Sequence, residues 1–361
     1  MIASDLDDRV LAVEANYHLG QTVIPLGRFR DAIEAQRRAI ALLEGTGIDA
    51  RLNLPAVPAV ACRIYIGLCL GFLGEFADAG VALQQGLRLA ESLDHVYTRA
   101  FALQGTGWLA LLQGEPRVAI PSLERGLEIC TRFDIMPTWL VTASLLGWAY
   151  ALTGRPREGI ALVEEAEQRS ARLRLEFLHA GALAVLSEAY LLGDRRADAQ
   201  AASQRALEAT RAHQQRWQEA GALRIRGDIE AAGAAGPEAE SCYGEALALA
   251  STLGMASLVA RCRFARAMLL RREGRGADAQ ADLAAARESF RRMGMKNLAG
   301  AGGRGDRVDR DSERPPAWAR ISASAPRVPA RGRPGRPRSL AAPCKRRAPR
   351  HSRRSSHARG Q

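Results

Sequence analysis

Apolar and small residues fall at helical spacing through most of this chain, and the pattern returns with a fixed period of forty. Small residues stand at Ala79, Ala119, Gly159, Ala199, Ala239 and Ala279, each forty positions after the last. Seven residues beyond each is another: Gly86, Gly126, Ala166, Ala206, Ala246 and Ala286. Twelve residues before each is a third: Gly67, Gly107, Gly147, Ser187, Gly227 and Ala267. Leu83, Leu123, Val163, Tyr243 and Leu283 share one further register, which Ser203 breaks. An earlier unit keeps the same offsets with Gly20, Ala32 and Ala39, and is set apart by seven extra residues around Arg51 to Ala56. No strand alternation or hairpin signal competes.

Helix packing explains the offsets. A first helix, A, must be small where a second helix, B, crosses it. Helix B must be small at two positions two turns apart on one face, where neighbouring helices approach closely. The interval of twelve spans the turn between them. That turn is written Leu26-Gly27-Arg28-Phe29, Leu73-Gly74-Glu75-Phe76, Gln113-Gly114-Glu115-Pro116, Thr153-Gly154-Arg155-Pro156 and Glu273-Gly274-Arg275-Gly276. Glycine there supplies a left-handed cap for helix A, and proline suits the first turn of helix B. The pattern predicts seven helix pairs, with the terminal pairs fitting least well.

The offsets of twelve and seven resemble those of the tetratricopeptide repeat. The stretch Ala239 to Ala250 carries the resemblance most specifically, with Leu253-Gly254-Met255, Ala260-Arg261-Cys262, Arg271-Arg272-Glu273-Gly274 and Phe290 to Met295. In this long-period form the chain is similar, over residues 5–297, to the C-terminal helical region of large bacterial regulators. In those, a signal-transducing ATPase, often fused to a nucleotide cyclase or a helix-turn-helix domain, precedes the repeats. The resemblance implies an all-α, right-handed superhelical solenoid over residues 1–298. It also implies a concave groove for a protein, a peptide or a small signal molecule. It does not imply the regulators' catalysis: there is no GxxxxGK[ST], and the only lysines are Lys296 and Lys345. A detached sensor region of such a regulator is the second reading, with the catalytic parts lost or carried by another chain.

Charge divides the chain in the same place. The net charge is +12, but residues 301–361 alone hold 17 Lys and Arg against 4 Asp and Glu. The body is near neutral. From residue 299 no apolar periodicity survives, and eight of sixteen prolines lie between Pro315 and Pro349. Such a composition buries too little apolar surface to fold, so residues 299–361 read as a disordered basic tail. Within it, Arg331, Arg333, Arg336 and Arg338 sit in a Gly/Pro-rich run resembling an AT-hook, which places arginines in a narrow minor groove. Lys345-Arg346-Arg347 and Arg353-Arg354 could add phosphate contacts, so nucleic-acid binding through the tail is a third reading. Arginine outnumbers lysine 49 to 2, the mark of a GC-rich gene, and a shifted frame in such DNA yields this mixture. The expectation is a frameshift near codon 297.

Little else suggests chemistry. Cys62, Cys69, Cys130, Cys242, Cys262 and Cys344 form no CxxC pair and read as buried thiols of a reducing compartment. His18, His95, His179, His213, His351 and His357 lack metal-ligand spacing, and no GxSxG elbow occurs. Glu164-Glu165 reads as a solvated pair. The acidic start, Met1 to Asp8, lacks an apolar leader. The most apolar run, Leu54 to Gly74, contains Pro55, Pro58 and Arg63, and reads as a loop entering a buried helix. These features predict a cytoplasmic, non-enzymatic protein without cofactor or metal.

One row points to a binding face. The residue after the helix A glycine lies on the side that such stacks turn toward their groove. It is Leu68, Trp108, Trp148, Glu188 and Asp228 in successive units. On the same face, three residues before the small position, stand Gln104, Ser144 and Arg224. This predicts a groove with an aromatic middle and an acidic later part. The two tryptophans serve equally well as partner anchors or as fillers between helices. If the tail is dispensable, a chain of residues 1–300 and the full chain will show the same helical circular dichroism per molecule and the same melting midpoint. A clearly less stable truncation overturns both the disorder and the frameshift expectations.

Overall fold

The computed structural model of the protein describes residues 9–44, 52–233 and 236–299, and all the regular structure among them is helical. Seven inner helices alternate with seven outer ones. The inner helices are α1 (Arg9–Val23), α3 (Pro58–Leu73), α5 (Val96–Gln113), α7 (Met136–Leu152), α9 (Glu176–Leu192), α11 (Arg216–Ala232) and α13 (Ala256–Arg272). The outer helices are α2 (Phe29–Leu42), α4 (Phe76–Ser92), α6 (Pro116–Arg132), α8 (Pro156–Arg172), α10 (Arg196–Ala212), α12 (Gly236–Thr252) and α14 (Gly276–Arg292). A single turn, α15 (Lys296–Ala299), follows. From Phe76 onward a new helix begins every twenty residues, so each pair fills the period of forty. The tail, with Arg331, Arg333, Arg336 and Arg338, lies outside the described residues, as does Cys344.

The small positions make the contacts that the offsets imply. Ala79, Ala119, Ala199 and Ala239 are fully buried, as are the second-row Ala166, Ala206, Ala246 and Ala286. The helix A glycines lie against the apolar register of helix B. A Cβ added at Gly67 would stand 2.5 Å from Leu83, one at Gly107 the same distance from Leu123, and one at Gly227 2.6 Å from Tyr243. In the fourth pair the two backbones themselves meet, because a Cβ on Gly147 would stand 2.7 Å from the carbonyl oxygen of Gly159. Ser203, which breaks the apolar register, is fully buried, and so is Ser187, which holds the glycine register of the same unit.

The turns divide into two kinds. After the inner helices, Gly27, Gly74, Gly114, Gly154 and Gly274 have positive φ, as the sequence predicts, and Asp194 (φ 59°) closes the fifth inner helix. After the outer helices, Asp134, Arg174, Gln214, Gly254 and Gly294 share a second left-handed position. Three of these are not glycine, so no composition signal marks the register. The run from Leu54 to Gly74 is a loop entering α3, as predicted, and twelve of that helix's residues are buried. Glu164 is not simply solvated: it accepts a 2.7 Å hydrogen bond from the Tyr190 hydroxyl and pairs with Arg195 at 3.3 Å.

The stack also meets itself. Gly74, at the end of α3, lies beside Met293 and Ala256, and Gly114, at the end of α5, lies beside Leu298. Gly27 abuts Leu253, and the backbone N–H of Arg216 donates to the Pro25 carbonyl at 2.9 Å. The guanidinium of Arg261 donates to the carbonyls of Leu111 and Leu112 at 3.1 and 2.9 Å. The superhelix therefore completes a turn within these seven pairs, and the ends of its first inner helices touch the starts of its last.

Two substitutions test this packing by urea unfolding. Gly159→Ala will lower stability by about 1–3 kcal/mol, because backbone faces the new methyl and cannot yield. Arg174→Gly will raise it by about 1 kcal/mol, since a left-handed φ costs an L-residue roughly that much.

Candidate functional site

The five inner helices from α5 to α13 turn the same stripe of residues inward, drawn from positions i, i+4, i+7 and i+11. Nearest the helix starts stand Tyr97, Pro137, Phe177, Trp217 and Ser257. One turn on come Phe101, Val141, Gly181, Gly221 and Arg261. Gln104, Ser144, Ala184 and Arg224 follow, and the last row is Trp108, Trp148 and Glu188. With Tyr65, Leu68 and Phe72 of α3 they line a cavity of about 360 Å³. That volume lies near the lower end of the ~300–1,000 Å³ typical of small-ligand sites.

Of the seven residues predicted for a groove, six line this one space: Gln104, Trp108, Ser144, Trp148, Glu188 and Arg224. Asp228 does not. It lies behind the wall, 2% exposed, where its carboxylate pairs with Arg224 and accepts a 2.7 Å hydrogen bond from the Tyr243 hydroxyl of α12. The expected acidic part is corrected accordingly. Arg224 also donates to Glu188 at 2.7 Å, so one guanidinium bridges two carboxylates drawn from α9 and α11. Burial disfavours the charge on Arg224, but Glu188 and Asp228 outweigh it and hold the group protonated. Burial pushes Asp228 up to about 6, against the pull of Arg224 and of the Tyr243 hydroxyl.

The aromatic part is broader than the two tryptophans foreseen. Trp217 reaches across from α11 to Phe72 on α3, with ring centroids 4.7 Å apart, and stands 6.0 Å from Trp108. Trp108 meets Phe72 edge-on at 5.7 Å. Trp108 and Trp148 are half-buried, so they both pack between helices and face the cavity. Trp148 Nε1, Trp217 Nε1, Glu188 Oε1 and the side-chain oxygen of Gln218 have no hydrogen-bond partner among the described residues.

Trp217, Phe177, Tyr97 and Arg261 were missed from sequence. Their signal was present: they occupy the two rows that continue the predicted face one and two turns toward the helix starts. Burial, and then the charge of Arg224, pulls Arg261 down to about 10, yet it keeps its charge at neutral pH. The buried cysteines are spectators, and burial pushes Cys62, Cys69, Cys130 and Cys262 up to about 12. Among the described residues no group of three His, Cys, Asp or Glu could hold a metal ion, and no helix is long and apolar enough to cross a membrane.

Comparison with known proteins agrees with the architecture. The tetratricopeptide repeat profile matches residues 13–42, which form the first helix pair. Among curated proteins no sequence matches the chain. Among solved structures, a Rap protein complexed with competence and sporulation factor superposes with a TM-score of 0.62 at 14% identity, covering 79% of each chain. The Rap conjugation gene regulator of plasmid pLS20, in complex with the Phr* peptide, gives 0.62 at 12% identity, covering 83% of this chain and 79% of that one. NprR in complex with its cognate peptide NprX gives 0.55 at 12% identity, covering 81% and 83%. The chain thus has the fold of a tetratricopeptide-type solenoid.

The buried cluster makes a pH-dependent prediction. Asp228 is protonated more readily in the folded protein than at its ordinary value of 3.8. Its contribution therefore favours the folded state at low pH and is lost as pH rises from about 4 to about 6. Tyr243→Phe removes a hydrogen bond to the ionised carboxylate. It will destabilise the protein by about 1–3 kcal/mol at pH 7 and by less near pH 4, measured by urea unfolding at both values.

Proposed function

We propose that this protein is a receptor module that takes a short peptide, or a small signal molecule of similar size, into the cavity on its concave face. The observation that carries the reading is the convergence of four in-register rows, from five consecutive inner helices, on one aromatic-walled space. A solenoid that only spaces other proteins apart needs no such convergence. The solved structures of like fold whose descriptions name a bound peptide or factor add support. The role is binding and not catalysis: Glu188 and Asp228 each commit one oxygen to Arg224, and burial holds the cysteine thiols protonated.

The mechanism follows from the superhelix meeting itself. One wall of the cavity comes from α3 and α5, and the opposite wall from α11 and α13, whose residues are over a hundred positions away. A ligand touching both walls stabilises the closed turn over any more open one by its differential affinity for the two. Whatever effector is attached to or recruited by the stack then senses its curvature. This is compatible with a sensor region of a larger signalling regulator.

Gly221 offers a clean test, because a Cβ added there meets nothing within 4 Å while the residue lines the cavity. Gly221→Phe will fill the cavity, and it will keep or raise the melting temperature, since glycine costs a helix about 1 kcal/mol. The full chain will retain members of a random pentapeptide pool, identified by mass spectrometry, and the variant will lose them at least about tenfold. Peptides retained equally by the folded variant would place binding elsewhere.

A further inference from the structure

Resting on that reading, we infer that the ligand presents a cationic nitrogen, an ammonium or a guanidinium, to Glu188. Glu188 is 2% exposed and lies in the cavity wall. One of its oxygens, Oε2, accepts from Arg224. The other, Oε1, is buried with no hydrogen-bond partner among the described residues. A buried carboxylate oxygen without a donor is costly, and a ligand N–H would relieve that cost.

The charge around Glu188 favours a cation over an anion. The linked group of Glu188, Arg224 and Asp228 contains one guanidinium and two carboxylates, so with both ionised it carries an excess negative charge. Arg261 is the remaining charged residue of the wall. Its guanidinium lies on the carbonyls of Leu111 and Leu112, at the C-terminal end of α5, where the helix dipole is negative. Its charge also reaches Glu188, but its hydrogen bonds to Leu111 and Leu112 hold it at the seam of the superhelix. An anionic ligand would face Glu188 with no cation left uncommitted to receive it, and a wholly apolar one would seal the bare oxygen away from water.

The surroundings suit a cation in a second way. Trp148 occupies the register of Glu188 on the adjacent helix, and both line the cavity. Aromatic faces attract ammonium and guanidinium groups, tryptophan most of all, and more strongly when water is excluded. The side-chain oxygen of Gln218, also without a partner among the described residues, is a further acceptor in the same wall. A carboxylate, an amide oxygen and aromatic rings together recognise a group with several N–H donors on a compact positive charge. The N-terminus of a peptide and a lysine or arginine side chain both meet that description.

Four pentapeptide pools separate the possibilities, each passed over the full chain and read by mass spectrometry. The first has free N-termini and no basic residue. The second is N-acetylated with one lysine or arginine. The third is N-acetylated with neither. The fourth is N-acetylated with one aspartate or glutamate. Retention from the first or second pool, and not from the third or fourth, is the expected result, and which of the two is retained identifies the source of the cation. Glu188→Gln, which keeps an oxygen for Arg224 and discards the charge, will cut retention at least about tenfold, with its fold checked by circular dichroism. Retention from the third or fourth pool that is lost in Gly221→Phe would overturn the cation while leaving the cavity as the binding site. Retention that survives Gly221→Phe would overturn the cavity reading as well, and none from any pool would overturn a peptide as the carrier of the cation.

Discussion

The closeness with which each inner helix meets its outer partner sets the rest of this structure. At Gly147 and Gly159 backbone touches backbone, and at Gly67, Gly107 and Gly227 a helix lies flush against a leucine or a tyrosine ring. Such contacts fix both rotation and height, because a slip of one residue would swing a side chain into the gap. Rotation decides which stripe of each inner helix looks inward. The concave face is therefore a consequence of residues that never touch it. Size is matched within units as well: where the outer helix offers Tyr243 the inner one has glycine, and where it offers Ser203 the inner one has Ser187.

Repetition makes the wall, but departures from repetition make the site. Across one row the residues change from Trp108 and Trp148 to Glu188 and then Asp228. Across another they run from Phe101 through Gly181 and Gly221 to Arg261. The glycines open space in the middle, and the charges collect toward the later helices. Arg224 is flanked by two acids of one row, Asp228 one turn on along α11 and Glu188 on α9, and the second pair exists only because α9 and α11 stand side by side. A buried ion cluster of this kind is a weak source of stability compared with apolar packing, since desolvating three charges offsets most of their attraction. Its role here is better sought in what it presents to the cavity.

The fold was legible because a period of forty is a statement about local geometry: helix, turn, helix and their contact all lie within one unit. Most of the groove was legible for the same reason, since Gln104, Trp108, Ser144, Trp148, Glu188 and Arg224 keep fixed offsets from the helix A small position. The rows of Trp217 and Arg261 were legible too, but their contacts across the stack depend on distances that no single unit encodes. Trp217 meets Phe72, and Arg261 meets Leu111, only once the superhelix has come round. Asp228 was misplaced for a different reason: its row predicts an inward position, but Tyr243 on the outer helix holds its carboxylate behind the wall. The left-handed turns at Asp134, Arg174 and Gln214 were silent because that register holds no common residue type, with glycine only at Gly254 and Gly294.

The same long-range contacts tie the cavity to the shape of the stack. Arg261 belongs to the wall and also clasps the end of α5, and Trp217 belongs to the wall and also packs on α3. A group entering between these walls cannot be bound by one end of the superhelix without altering its fit to the other. Each helix pair is rigid within itself, because its contacts are close and backbone-limited, so strain at the seam cannot be absorbed inside a pair. It must be spread over the angles between pairs, and a small change at each becomes a change of curvature along the whole outer surface. On the function proposed above, a coil that meets itself would convert occupancy of a small cavity into a change at the convex face, where a partner would read it.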